Sequence, residues 1–323
     1  MTRNPWKRDQ GSSGSSAGSS SATAAGLVGF AIGSETLGSI SSPATRNGAT
    51  GLRPTFGRVP RTGAMALSWT MDKLGPICRS VEDCALVLNA IHGPDGQDLT
   101  VQPAAFNWDA RVTPNRVRIG YTKAYFDLPE RQTIDGREQT VHGTKSFDDA
   151  ALAVLERLGA KLIPVELPEM PYNAVRMMLT VEAAAAFDEL TRSGRDAEMA
   201  QQGPGAWPNT FRTSRFAPAV EYVNASRIRT LMMQRWAKLF ETVDVIVTPT
   251  FTRGNPQLTA TNLTGHPAVI LPHGFREFDA NDKTLVPVSL TFLGNLYDEA
   301  RLLAVAHHYQ QATDFHLRYP TLA

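Results

Sequence analysis

Cysteine is nearly missing from this sequence: Cys78 and Cys84 are the only two in 323 residues. They stand six residues apart in a stretch that reads as helical, so they are expected on different helix faces. That placement argues against a disulfide or a shared metal and fits a reducing, cytoplasmic setting. No run of about 18 apolar residues occurs, so no membrane-spanning helix and no membrane partner is expected. The charged opening residues 1–8 run into Gly and Ser, where a secretion signal needs an apolar core. Neither sign of charge dominates, with 32 Lys and Arg against 31 Asp and Glu. No basic stripe with interleaved aromatics appears, which excludes nucleic acid as an expected partner. None of the seven histidines falls at a ligand spacing, so no metal or other cofactor is expected. His266, His273, His307 and His308 read as structural or surface residues. No internal repeat is visible.

What is present is an ordinary globular balance, 42% hydrophobic and 20% charged. Residues 11–16 look like a flexible linker, but an Ala-rich helix (21–28) and a short buried strand (29–33) follow directly. Ser80 and Asp83 stand at capping-box spacing before an apolar run to Ile91. Strands are expected at 117–121 and 161–165, joined by a helix that Ser146 caps and Gly159 ends. That is a βαβ unit, hence a parallel pair. Long helices are expected at 172–191 and 218–242, strands at 244–248, 268–271 and 286–293, and a last helix at 298–311.

The stretch that carries chemistry is Gly33-Ser34-Glu35-Thr36-Leu37-Gly38-Ser39-Ile40. Small residues let the backbone approach a substrate, and successive N–H groups in such a turn can converge on a developing oxyanion. Its neighbours are ordered. The Ser-rich Gly14-Ser15-Ser16-Ala17-Gly18-Ser19 lies upstream. Downstream come Leu52-Arg53-Pro54-Thr55-Phe56-Gly57-Arg58-Val59, Asp72-Lys73-Leu74-Gly75-Pro76 and Arg79-Ser80-Val81-Glu82-Asp83. Further on stand residues 244–250 (DVIVTPT), 262–267 (NLTGHP) and 297–303 (YDEARLL). In this order the motifs resemble the amidase signature family along nearly the whole chain.

The resemblance implies an α/β amidase-signature fold: a large mixed, twisted β-sheet covered by helices on both faces. It implies one domain over 1–323, with a signature core at 11–90, a variable substrate-shaping region at 95–240 and a sheet-and-helix part at 241–323. Family chemistry uses a Ser–Ser–Lys triad, in which a neutral lysine and a serine held by a cis peptide bond activate the nucleophile. Carried over, the nucleophile is Ser39 and the relay serine is Ser15, 24 residues upstream. Ser12 and Ser13 offer a competing register that breaks this spacing. The backbone of Thr36, Leu37 and Gly38 would form the oxyanion hole. Glu35, Ser16 and Asp72 would support the site, and Phe187, Trp207 and Phe211 are candidates for lining it.

The sequence departs from the pattern in places. The family lysine lies upstream of the Ser-rich loop, in a segment these residues do not contain, so an N-terminally truncated member is expected. Lys7 is the only lysine before Ser15 and falls where the family has no catalytic group; Lys73 reads as structural. Leu37 replaces a Gly of the turn, Ser41 stands where many members have Arg, and Glu35 stands for an Asp. The implied activity is amide hydrolysis on a small molecule, with ester hydrolysis surviving better in the absence of the lysine. Alternatives are a carbamate hydrolase or esterase, the glutaminase subunit of a tRNA-dependent amidotransferase, and an inactive binding fragment. Without the family's N-terminal part, an open strand edge and exposed apolar surface are expected, favouring a homo-oligomer.

Overall fold

Small side chains dominate the start of the chain, and they let its first elements pack closely. The computed structural model describes residues 1–321. It opens with α1 (Ala17–Ala24), whose Ser20, Thr23 and Ala24 are buried. Next come β1 (Phe30–Glu35), α2 (Ser41–Asn47), β2 (Thr50–Arg53), β3 (Lys73–Cys78) and α3 (Val81–Ile91). The Ser80 hydroxyl accepts from Asp83 N–H and the Asp83 carboxylate from Ser80 N–H, the capping box expected at α3. β4 (Ile119–Tyr121), α4 (Lys123–Phe126), the hairpin β5 (Arg131–Ile134) and β6 (Arg137–Thr140), α5 (Lys145–Arg157) and β7 (Leu162–Pro164) follow. A helical stretch then holds α6 (Tyr172–Val175), α7 (Met177–Ala186), α8 (Asp188–Arg192), α9 (Trp207–Ser214) and α10 (Ala219–Phe240). The chain finishes with β8 (Val245–Pro249), α11 (Gln257–Thr264), β9 (Ala268–Glu277), β10 (Leu285–Gly294) and α12 (Glu299–Gln311).

Eight strands form one sheet in the order β1-β3-β2-β9-β10-β8-β4-β7. From β1 to β8 the neighbours are antiparallel; β4 pairs in parallel with both β8 and β7, as the βαβ reading requires. Period-2 alternation sends successive side chains to opposite faces. On β8, Val245 and Val247 join a core with Leu88, Leu302 and Val305 beneath α3 and α12. Ile246 between them joins the opposite core with Leu179, Met232 and Trp236 beneath α7 and α10. The sheet is therefore mixed and helix-covered on both faces, as the resemblance implied. Among the described residues no helix is long and apolar enough to cross a membrane.

Several local expectations are corrected. The strand expected to be buried, β1, is an edge strand, with Phe30 and Ile32 54% and 39% exposed. The helix expected over 172–191 divides into three. Phe187 leaves helical geometry (φ −107°, ψ 28°), and its ring stacks on Phe211 at 4.8 Å. Ser146 lies inside α5 and does not cap it; Thr144 precedes the helix and spends its hydroxyl on Asp148 (2.6 Å). Cys78 ends β3, not a helix, while Cys84 sits on α3. Both are buried free thiols. Burial, then the neighbouring Cys78, pushes the Cys84 thiol well up, so Cys84 is not a ready nucleophile.

Candidate active site

The candidate nucleophile sits where an edge strand turns into a helix. β1 ends at Glu35, residues 36–40 turn, and α2 begins at Ser41. Gly38 takes a positive φ of 88° there, a conformation that penalises any side chain. The turn is fixed from behind by Glu35, which is wholly buried. Its Oε2 accepts from Ile40 N–H (2.9 Å), Ser41 N–H (2.7 Å) and the Ser41 hydroxyl (2.8 Å). Its Oε1 accepts from Arg53 Nη1 and Asn262 Nδ2, both at 2.8 Å. Burial alone would raise the Glu35 pKa. The Arg53 charge and hydrogen bond, helped by Asn262 and Ser41, outweigh it and hold the group at about 2.

Arg53 is itself wholly buried and reaches further, donating to Thr261 Oγ1 (2.7 Å) and the His266 carbonyl (3.1 Å). Arg53, Thr261 and Asn262 went unrecognised as site supports in the sequence. The only signal was the presence of Arg53 and Asn262 within two of the ordered motifs.

The Ser-rich loop closes over this turn. Ser16 N–H donates to the Ser39 carbonyl (3.2 Å), and Ser16 Oγ accepts from Ser34 N–H (3.0 Å). Gly14, at φ 61°, passes so near that a Cβ there would stand 3.4 Å from Ser39 Cα and 2.6 Å from Pro43 Cδ. Ser15 is exposed and Ser39 half-buried. Neither hydroxyl is hydrogen-bonded to another residue among those described, and they do not bond each other. The cis peptide bond that the resemblance implied is not found: every described peptide bond is trans. A non-proline cis bond costs about 3 kcal/mol, and here the loop reaches Ser39 with Ser13 and Gly14 at positive φ instead.

No described residue takes the N–H groups of Leu37, Gly38 or Ser39, although Gly38 is buried. Thr36 donates its hydroxyl to Asp72, and Asp72 also accepts from Leu67 N–H (2.8 Å) and Ser68 N–H (2.9 Å). Asp72 thus ties the turn to the loop at 61–72. A cavity of about 700 Å³ opens here, lined by Ser15, Ser16, Thr36, Asp72, Trp69 and Phe187 among others. Ser39 does not line it, but Ser16, bonded to the Ser39 carbonyl, does. Of the three expected aromatics only Phe187 reaches the wall; Phe211 is buried and stacks on it, and Trp207 stacks on Phe211 at 5.6 Å.

Neither candidate lysine is hydrogen-bonded to Ser15 or Ser39. Lys7 Nζ contacts Asp9 (2.6 Å) and Asp282 (2.7 Å), and those bonds raise its pKa and keep it charged. Lys73 lies opposite Glu35 in the β1–β3 register and donates to the Met71 carbonyl. Burial, reinforced by the Arg53 charge, drives Lys73 well below the ordinary lysine range. His266 is likewise driven down, to about 3, by burial and then Arg53. Its ring lies against Phe240 (5.1 Å), the structural role expected. Among the described residues no group of three His, Cys, Asp or Glu is placed to hold a metal.

The family model named Amidase matches residues 1–303. A glutamyl-tRNA(Gln) amidotransferase subunit of Acinetobacter baumannii (strain AYE) is 34% identical, matching all of this chain and 71% of its own length. Its counterpart in Geobacillus kaustophilus (strain HTA426), also a glutamyl-tRNA(Gln) amidotransferase subunit, is 36% identical over the same shares. Among solved structures, the native peptide amidase of Stenotrophomonas maltophilia superposes with a TM-score of 0.78 at 29% identity. That match covers 99% of this chain and 69% of that one.

Proposed function

We propose that this chain, which belongs to the amidase family, hydrolyses a carbon–nitrogen amide bond through an acyl-enzyme on Ser39. The observation that carries the reading is the set of uncommitted N–H groups at Leu37, Gly38 and Ser39. Gly38 is buried, and an unpaired buried backbone N–H is rare because it forfeits a hydrogen bond. Here the three N–H groups are donors in waiting for an oxyanion, each worth about 3–4 kcal/mol of barrier in such a site. In this scheme the Ser39 oxygen attacks the carbonyl carbon and passes its proton to the Ser15 oxygen, whose own hydroxyl proton goes to the departing nitrogen. The tetrahedral intermediate collapses as the C–N bond breaks and the amine takes up a proton. Water then cleaves the Ser39 ester, giving the acid and restoring the serine.

No lysine is hydrogen-bonded to Ser15 among the described residues. Proton delivery to a poor leaving group is then the weak step, so esters should outpace matched amides. A nitrophenyl ester and its anilide test this; equal efficiency on both would sink the bias. Labelling by a fluorophosphonate, located by mass spectrometry, tests the nucleophile. Absence of label at Ser39 would favour a binding fragment over any hydrolase.

A second reading rests on the amidotransferase relatives: a glutaminase-type subunit that releases ammonia for a partner. Ser41, where many members have Arg, leaves no guanidinium there for a free amino acid's carboxylate. Glutamine hydrolysis with co-purifying partner chains would favour this reading over the small-molecule amidase.

A further inference from the structure

A second cavity, of about 580 Å³, lies where α2, the end of β6, the loop after β8 and the β9–β10 pair meet. Arg46, Arg253 and Arg276 all line it, each from a different element, and no described carboxylate does. None of the three is in an ion pair among the described residues. Arg46 Nη1 donates to the Gly11 carbonyl (3.3 Å) and Arg253 Nη1 to Gln139 Oε1 (2.5 Å). The Arg276 side chain has no hydrogen-bond partner among the described residues, and its Nη1 lies 3.7 Å from where a Cβ on Gly143 would stand. The same wall is hydroxyl-rich: Thr45 Oγ1 and Ser289 Oγ share a hydrogen bond of 2.6 Å.

Three guanidinium groups facing one hollow repel one another unless an anion sits between them. Their planar forks match the paired oxygens of carboxylate and phosphate. The 13-residue α5 begins immediately after Thr144, which also lines the hollow, so its N-terminal end adds a favourable dipole. The acid of its first turn, Asp148, is buried and consumed by His142 Nε2 (2.7 Å) and His273 Nε2 (2.8 Å). Lys7, over the Phe278 ring at the rim, already has Asp9 and Asp282.

We infer that this cavity is an oxyanion-binding site, taking the phosphate or carboxylate group of a ligand, separate from the Ser39 chemistry. Calorimetric titration of the whole protein with inorganic phosphate and, separately, succinate, at ionic strength matched with chloride, tests it. Saturable binding of one anion is expected; phosphate binding points to a phosphorylated ligand, succinate binding to a carboxylic acid. R253Q and R276Q alter exposed side chains, so both should fold, with affinity at least tenfold weaker. S39A should bind as the wild type does. No saturable heat with either anion, or wild-type affinity in both arginine variants, would overturn the inference. Loss of binding in S39A would place the anion in the hydrolase site and overturn its separateness.

Discussion

Replacing Glu35 with glutamine tests how the turn at residues 36–40 is held. The carboxylate accepts five hydrogen bonds, three at Oε2 from residues 40 and 41 and two at Oε1 from Arg53 and Asn262. A glutamine amide offers one acceptor oxygen, and its NH₂ cannot accept, so one of these sets is lost. The variant also strips the charge facing the wholly buried Arg53 guanidinium. Removing one partner of a buried pair costs about 3–5 kcal/mol. The pKa gives a similar figure: a carboxyl held at about 2 instead of its ordinary 4.5 stabilises the fold by roughly 3 kcal/mol near neutral pH. At about 2.1 cal/mol/K per residue, 323 residues turn 3–5 kcal/mol into a Tm drop of about 4–7 °C.

The sign with pH follows from the same shift. A carboxyl whose folded pKa is depressed contributes its full stability above the unfolded value and loses it as pH falls towards the folded one. The E35Q deficit should therefore be constant above about pH 5 and shrink as pH approaches 2. Calorimetric melting at pH 7, 5, 4 and 3 measures it. An E35Q protein melting within a degree of wild type at pH 7, or a deficit unchanged from pH 7 to 3, would refute the reasoning.

Other perturbations reach neighbouring parts of the site. S39A should abolish fluorophosphonate labelling with an unchanged Tm, and S15A should slow labelling without removing the site of attachment. G14A places a Cβ 2.6 Å from Pro43 Cδ at φ 61°, so it should cost about 1–3 kcal/mol in thermal unfolding and slow esterase turnover together. Glu182 accepts from Ser68 Oγ (2.6 Å), Thr70 N–H (3.0 Å), Thr70 Oγ1 (2.6 Å) and Tyr222 OH (2.7 Å), pinning the 61–72 loop to α7 and α10. E182Q should therefore raise KM more than it lowers kcat in ester hydrolysis. Burial, then the Arg53 charge, depresses Lys73 well below its ordinary 10.5, so the unfolded chain binds more protons at this residue as pH nears that value. Wild-type stability relative to K73M should therefore rise between pH 7 and 10 in paired melting curves, and a constant difference would count against it.

The parts legible in sequence were those written in local chemistry. Ser80 and Asp83 cap α3 because both partners lie within one turn. The parallel β4–β7 pair follows from two apolar runs either side of an amphipathic helix. Ser16 meets Ser39, its N–H on the Ser39 carbonyl, whereas Ser15 and Ser39 share no hydrogen bond and the described peptide bonds are trans. What sequence could not show depends on distant partners. Phe30 and Ile32 look like core until the strand order leaves β1 on an edge. Trp207 and Phe211 look like pocket walls until Phe187 leaves the helix and stacks on Phe211. Asn262 lies 227 residues from the carboxylate it serves, and no local pattern encodes that distance.

That last separation bears on how the protein is made. The Glu35–Arg53 pair forms from residues near the start of the chain, yet Asn262, Thr261 and the His266 carbonyl complete it. Until ribosomal synthesis has delivered α11, a nascent chain cannot bury this pair with its partners. Closing a loop of more than 200 residues adds an entropic cost that grows with the logarithm of its length. The turn at residues 36–40 is therefore among the last features to set during folding, completed only when α11 reaches it.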